Sequence, residues 1–128
     1  DYIGMMDVMV LTSISEGQPL AILEAMACKK PFVSTNVGCV KELLEGIDDD
    51  FGPCGIVCPI MDYEQIGKAI IKIVSNPSLM KSMSESGFMR VNKFYSIEKF
   101  KSEFKNLYNN LHNQFITNKC RFNFVLNM

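Results

Sequence analysis

Two glutamates eight positions apart, Glu16 and Glu24, are the residues of this sequence whose placement could serve binding or catalysis. Glu16 lies in a loop after the apolar run 7–12, and Glu24 lies just over one turn into a helix that we expect to begin at Pro19. A carboxylate can accept two hydrogen bonds from adjacent hydroxyls, such as those of a ribose, or oppose positive charge that develops on a substrate. From spacing alone, a solvated loop residue and a surface helix residue are the simpler interpretation.

The start of this helix could hold a phosphate group. A helix start leaves backbone N–H groups unpaired and carries partial positive charge, and ligands of open α/β sheets bind outside the carboxyl ends of the strands. We therefore predict a phosphate cradle at residues 17–21, in which Gly17 lets a ligand approach the backbone closely. Glu24 is flanked by Leu23, Ala25 and Met26, and such apolar surroundings are unfavourable for an unpaired charge.

The elements that must position these residues alternate between strand and helix. Apolar runs predict strands at 7–12, 31–35 and 54–58, the first of them buried. Apolar periodicity predicts helices at 19–30, 40–45, 78–94 and 96–117. A further helix is capped by Asp62 and has Ile66, Ala69, Ile70 and Ile73 on one face. This order is typical of an α/β fold, a Rossmann-like parallel sheet with flanking helices. Three strands make a small parallel sheet, so we expect more strands upstream, and we assign no structure to 118–128.

Composition excludes several classes of partner. The 128 residues carry 13 Lys and Arg against 14 Asp and Glu, and a net charge of -1 gives no electrostatic reason to bind nucleic acid. No apolar run approaches the roughly 18 residues of a membrane span, so we expect no integral membrane segment. Five cysteines at irregular spacing favour free thiols in a reducing compartment, and we predict no metal site.

Several motifs in order carry a family resemblance. They are residues 7–13, Glu16, Glu24-Ala25-Met26-Ala27, residues 30–38, Glu42-Leu43-Leu44, Gly55-Ile56-Val57 and Pro59. From about Asp1 to Tyr108 the chain resembles the C-terminal domain of GT-B glycosyltransferases of the large retaining family four, the glycosyl transferases group 1. Residues 15–20, together with residues 49–53, are most similar to the glycosyltransferase of the Pel exopolysaccharide system.

The resemblance implies a donor site for a nucleotide-diphosphate sugar. Glu24 would bind the ribose, and Glu16 would face the donor sugar and is the candidate catalytic residue, although no proton-transferring base is assigned. Backbone amides near Gln18 would meet the diphosphate or the sugar. The candidate substrate-binding residues are Glu16, Gly17, Gln18, Leu20, Ala21, Glu24, Thr35, Asn36 and Gly38.

The chain also departs from the family pattern. Many relatives have Gly-Phe-Gly after the first glutamate, where Gly17-Gln18-Pro19 stands here. Because proline has no N–H, we expect the cradle amides to shift to Leu20 and Ala21. The basic pair and the histidine that the family places upstream are not in this sequence, so we expect the 128 residues alone to be inactive, with no metal or other cofactor required.

The resemblance therefore implies a retaining hexosyltransferase in polysaccharide or glycoconjugate synthesis. Residues 1–117 would be part of its donor-binding domain, and a missing N-terminal domain would hold a glycan or lipid-linked glycan acceptor. The implied donor is UDP-glucose, and the implied location is the cytoplasm or, through a complex, the inner membrane surface. Two alternatives stay open: a GT-B-like epimerase or phosphorylase half, and a non-catalytic nucleotide-binding or interaction module from a truncated gene.

Overall fold

A computed structural model describes residues 2–47 and 49–126, with side chains described through residue 114. Within these residues a short 3-10 helix at Ile3–Met5 precedes alternating strands and helices, which confirms the predicted α/β class. The strands are β1 (Met9–Leu11), β2 (Phe32–Thr35) and β3 (Gly55–Cys58). The helices are α1 (Leu20–Ala27), α2 (Val40–Glu45), α3 (Tyr63–Val74), α4 (Pro77–Phe94) and α5 (Ile97–Leu126).

The sheet is parallel and has the order β1-β2-β3. Met9 aligns with Phe32, and Val33 aligns with Ile56. All four residues of β2 are buried, as expected for the central strand of a covered parallel sheet. The carboxyl ends of β1 and β2 therefore meet at one edge, so the loop 12–19 lies beside the turn 36–39.

The first strand differs from its prediction. β1 is three residues long, shorter than the predicted run 7–12, and it is not fully buried, because Val10 is 43% exposed. Among the described strands β1 lies at the edge of the sheet and pairs only with β2. Apolar composition predicted the strand but not its burial, because burial depends on what packs outside it.

Helix α3 covers one part of the sheet as its periodicity predicts. The Asp62 carboxylate accepts the Gln65 N–H at 2.9 Å, which confirms the predicted N-cap. The predicted apolar face packs in one cluster with strand and α4 side chains, whose buried members are Val33, Cys58, Ala69, Ile73 and Met83. Burial of this stripe holds α3 on the sheet.

The end of α1 is closed without glycine. The helix ends at Ala27, and the Lys30 N–H donates to the Ala25 carbonyl at 2.8 Å, while the Lys29 N–H donates to Met26 at 3.1 Å. These two hydrogen bonds form a Schellman motif, in which the residue after the C-cap takes the left-handed conformation; here that residue is Lys29, with φ at 56°. The predicted helix 19–30 therefore ends three residues early, at Ala27, and the two lysines follow it.

A buried arginine on α4 is the main polar feature of the core. The Arg90 guanidinium and the Asp49 carboxylate are 2% and 3% exposed and form a bidentate pair at 2.7 and 2.9 Å. The guanidinium also donates to the last-turn carbonyls of α2, which belong to Leu43, Leu44 and Glu45. It donates further to the Gly52 carbonyl in the following loop and to the Cys54 Sγ. This Arg90 cluster holds the end of α2, Asp49 and Gly52 of the following loop, and α4 together.

The Arg90 cluster makes stability depend on acid. Hydrogen bonds from Arg90 hold the pKa of the Asp49 carboxyl below its usual range. A lowered folded-state pKa stabilises the fold above the unfolded value of about 4, and the benefit is lost as pH falls below that value. We expect Asp49→Asn to be less stable at pH 7 and to lose less stability than the wild type between pH 6 and pH 3, measured by urea unfolding. The exposed control Asp7→Asn should keep the wild-type slope; an unchanged slope in Asp49→Asn would contradict the pairing.

The residues divide into two compact units, Asp1–Phe94 and Tyr95–Met128. In the second, the Ser96 hydroxyl accepts the Lys99 N–H at 3.2 Å and thereby caps α5 at the predicted start of the last helix. The helix runs to Leu126, nine residues beyond the expected end at Thr117 and through most of the segment left unassigned. Within the described part of the chain, no helix combines the length and the apolar character needed to cross a membrane.

Candidate functional site

Glu16 is held in a fixed position in the loop between β1 and α1. Its Oε1 accepts a hydrogen bond from the Ser13 hydroxyl at 2.7 Å, and the side chain is half-buried. Among the described residues its Oε2 has no hydrogen-bond partner. One carboxylate oxygen thus orients the group, and the other can accept a bond from a ligand.

Gly38 brings the second turn against this loop. It has φ at +51°, and a Cβ on it would lie 2.3 Å from the carbonyl oxygens of both Glu16 and Gly17. Beside it, the Cys39 N–H donates to the Gly17 carbonyl at 3.1 Å. Only glycine tolerates both the conformation and the close approach. Sequence analysis placed Gly38 at the cleft, but the reason for glycine is this backbone contact.

Thr35, the last residue of β2, is hydrogen-bonded to the start of the loop 12–19. The residue is fully buried, and its hydroxyl donates to the Ser13 carbonyl at 2.5 Å. The proton of that hydroxyl is used inside the protein, so Thr35 holds the Ser13 end of the loop in place. The next residue, Asn36, is exposed, and its N–H is bonded to the Cys58 carbonyl at 2.8 Å.

The predicted phosphate cradle has its amides at the start of α1. Pro19 is extended, with ψ at 114°, and it precedes the helix instead of being its first residue, while its carbonyl accepts the Ile22 N–H. Leu20 and Ala21 are then the first helical residues, and their N–H groups have no carbonyl within the helix to which they could donate. A Cβ on Gly17 would meet no atom within 4 Å, so there is open space beside Gly17 in the loop that leads to this helix start.

Glu24 lies on the outer face of α1. Ile22, Ala25 and Met26 are the buried residues of that helix, whereas Glu24 is exposed. The desolvation cost that its apolar neighbours suggested is therefore absent. In the described residues its carboxylate has no hydrogen-bond or ion-pair partner, as is also true of the Gln18 side chain, so both can bind a ligand.

The comparison with protein families decides the class of this chain. The family model of glycosyl transferases group 1 matches residues 1–90. The chain belongs to this family. Curated relatives include an N-acetyl-alpha-D-glucosaminyl L-malate synthase of Bacillus anthracis, 29% identical over 84% of the chain, and a probable sucrose-phosphate synthase of Thermosipho melanesiensis, 36% identical over 78%. The chain spans only 27% and 21% of the lengths of these two relatives.

Solved structures of similar glycosyltransferases share the fold. A sucrose-phosphate synthase from Thermosynechococcus elongatus superposes with a TM-score of 0.78 at 26% identity, covering 88% of this chain and 27% of that one. The C-terminal domain of a group 1 protein from Francisella tularensis superposes at 0.64 with 28% identity, covering 75% and 47%. The parallel sheet with flanking helices is thus a GT-B-type fold, as expected.

A concavity of this glycosyltransferase domain lies along α2, next to the loop of Glu16. Its volume is about 430 Å³, and it is lined by Asn36, Gly38, Lys41, Glu42, Glu45, Gly46 and Ile47. Only Asn36 and Gly38 were candidate site residues. Lys41, Glu42 and Glu45 could have been found from helix periodicity, because Val40, Leu43 and Leu44 form the buried face of α2 and leave the charged residues opposite. Gly46 and Ile47 follow the helix and have no such signal.

Burial makes three of the described thiols, Cys39, Cys54 and Cys58, poor nucleophiles. Cys28, Cys39, Cys54 and Cys58 are free. Burial raises the pKa of the Cys39 thiol near the loop, and the Glu42 carboxylate raises it further. Burial likewise raises the pKa of Cys54 and Cys58, so these groups stay protonated at neutral pH.

Proposed function

We propose that the chain is the donor-binding part of a retaining glycosyltransferase that uses a nucleotide-diphosphate sugar. The observation that carries the proposal is the attachment of the loop 12–19 to the turn 36–39 through Gly38, Cys39 and Thr35. The attachment fixes Glu16 beside the open start of α1. A site fixed in advance pays little ordering cost when a substrate or transition state binds.

The proposed roles follow from the chemistry of each group. The amides of Leu20 and Ala21 receive the diphosphate, because a helix start favours negative charge. Glu24 accepts hydrogen bonds from the two ribose hydroxyls, and the free oxygen of Glu16 faces the donor sugar. As the nucleoside diphosphate leaves, the amides stabilise its growing negative charge, and Glu16 opposes the positive charge on the sugar. These residues bind and orient the donor, and none transfers a proton.

The relatives support an enzyme over a non-catalytic module. An N-acetyl-alpha-D-glucosaminyl L-malate synthase, a sucrose-phosphate synthase and an alpha-D-kanosaminyltransferase of Streptomyces kanamyceticus are all named for sugar-containing products or transferred sugars. We propose further that residues 1–117 form part of the donor-binding domain and that an N-terminal domain holds a glycan acceptor. The proposed donor is a UDP-hexose, specifically UDP-glucose. A Pel-type role in exopolysaccharide synthesis, in the cytoplasm or peripherally at the inner membrane, is the corresponding setting.

Removing the Glu24 carboxylate should weaken nucleotide binding. We expect Glu24→Ala to lower the affinity of the chain for UDP by about 10- to 100-fold, because two charge-assisted hydrogen bonds to the ribose are lost. Isothermal titration calorimetry with UDP measures the change. Glu64→Ala, an exposed glutamate on α3 that pairs with Lys68, is the matched control and should bind as the wild type. Equal affinities of wild type and Glu24→Ala would remove the ribose role.

The reaction itself is tested on a protein in which this chain is joined to the proposed N-terminal domain. Incubation with UDP-glucose and an oligosaccharide acceptor should give a product whose anomeric configuration, determined by NMR, matches that of the donor. An inverted product would refute retention. Epimerised nucleotide sugar formed without acceptor would favour the epimerase alternative, and sugar transfer by the 128 residues alone would refute the need for a second domain.

A further inference from the structure

The concavity along α2 differs in charge from the phosphate cradle. Lys41 contributes one positive charge, while Glu42 and Glu45 contribute two negative charges, so the described wall has a net charge of -1. Lys41 and Glu45 approach each other at 3.9 Å and are both exposed, which makes their pairing weak. A phosphate or another anion would be repelled here, whereas a neutral polyol would not.

The lining groups suit the edges and face of a sugar ring. The Asn36 side chain and the Glu42 carboxylate have no hydrogen-bond partner among the residues that the structure describes, so both are available to hydroxyl groups. Ile47, which is 65% exposed, supplies an apolar surface beside these polar groups. At about 430 Å³ the concavity is in the size range of small-molecule sites.

We propose that this concavity is a saccharide subsite in which Glu42 accepts hydrogen bonds from sugar hydroxyls. This inference rests on the proposed function, because it assigns the subsite to the sugar that the enzyme transfers or extends. The wall of the subsite is continuous with the loop of Glu16, since Gly38 lines the concavity and its backbone contacts the carbonyls of Glu16 and Gly17. Glu42 is then a specificity-determining residue.

The test is a heteronuclear NMR titration of the chain with neutral monosaccharides. The probes are the methyl glycosides of glucose, galactose, mannose and N-acetylglucosamine, each tested with and without saturating UDP. At least one glycoside should shift the amide signals of Asn36, Gly38, Glu42 and Ile47. Glu42→Gln keeps the shape of the side chain and removes its charge, so it should weaken that binding by about tenfold. The control Glu64→Gln, on α3, should not change it.

The outcomes separate this inference from the proposed function. UDP should shift Leu20, Ala21 and Glu24 equally in wild type and Glu42→Gln; if UDP fails to bind while the glycoside binds along α2, the donor assignment fails and the subsite stands. If the amide signals along α2 shift with UDP-glucose but not with a glycoside and UDP added separately, the concavity is a donor-sugar subsite. If they shift when a glycoside is added after UDP, it is an acceptor subsite. No shift with any of the four glycosides or UDP-glucose, or a Glu42→Gln affinity equal to the wild type, overturns the proposal.

Discussion

Replacing Arg90 with methionine should lower the free energy of unfolding by about 3–5 kcal/mol. The substitution leaves the Asp49 carboxylate, 3% exposed, without its cation, and it removes the donors to the last-turn carbonyls of α2. A buried charge without a partner is costly because the protein interior solvates it poorly. Since a domain of this size has a stability of only about 5–15 kcal/mol, we expect a large fall in thermal midpoint or loss of folding. Urea unfolding followed by circular dichroism measures it.

Two further variants keep this prediction falsifiable. Lys81→Met removes an exposed charge from the same helix and should change stability by less than about 0.5 kcal/mol. The double variant Arg90→Met with Asp49→Ala should recover part of the loss, because the unpaired carboxylate is gone. A loss below about 1 kcal/mol in Arg90→Met, or no recovery in the double variant, would show that the pair is not the source of the stability.

Replacing Gly38 with alanine should damage stability and nucleotide binding together. The added Cβ would lie 2.3 Å from two carbonyl oxygens in a backbone conformation that disfavours alanine, so the turn or the loop of Glu16 must move. We expect a loss of about 2–4 kcal/mol in unfolding free energy and at least about tenfold weaker UDP binding. Thermal unfolding and calorimetry with UDP on the same preparation give both values.

Gly17 provides the matched control for Gly38. It belongs to the same loop, but a Cβ on it would meet no atom within 4 Å, and its φ is not in the left-handed region. Gly17→Ala should therefore keep the stability of the wild type within about 0.5 kcal/mol. If UDP contacts this part of the backbone, its binding weakens without any loss of stability. Equal stability of Gly38→Ala and Gly17→Ala would show that the loop yields without cost.

The Arg90 cluster and the loop of Glu16 contact opposite ends of α2. Arg90 bonds carbonyls of the last turn of this six-residue helix, and Cys39, which precedes the helix, bonds the Gly17 carbonyl. A helix this short is not stable by itself, so its position depends on contacts at both ends. The polar core thereby contributes to holding the loop of Glu16.

The sequence by itself determined the local secondary-structure elements and their order along the chain. The period of α3, the Asp62 cap, the bounds of α2 and the strand–helix alternation follow from side-chain geometry and capping chemistry, which act over a few residues. The ordered motifs also identified the family, because residues 1–90 match glycosyl transferases group 1. That the loop of Glu16 lies beside the turn of Gly38 also follows from the order of the elements, because in a parallel sheet the loops that follow neighbouring strands share one edge.

Only the tertiary structure decided the roles that depend on distant partners. Arg90 meets Asp49 across 41 positions, and the Thr35 hydroxyl meets the Ser13 carbonyl across 22, so no local pattern could show that one forms the polar core and the other positions the loop. The exposure of Glu24 and the half-exposed state of β1 likewise depend on what packs beside them. Local preferences are set by each residue and its near neighbours, whereas burial and pairing are set by chain segments brought together in the fold.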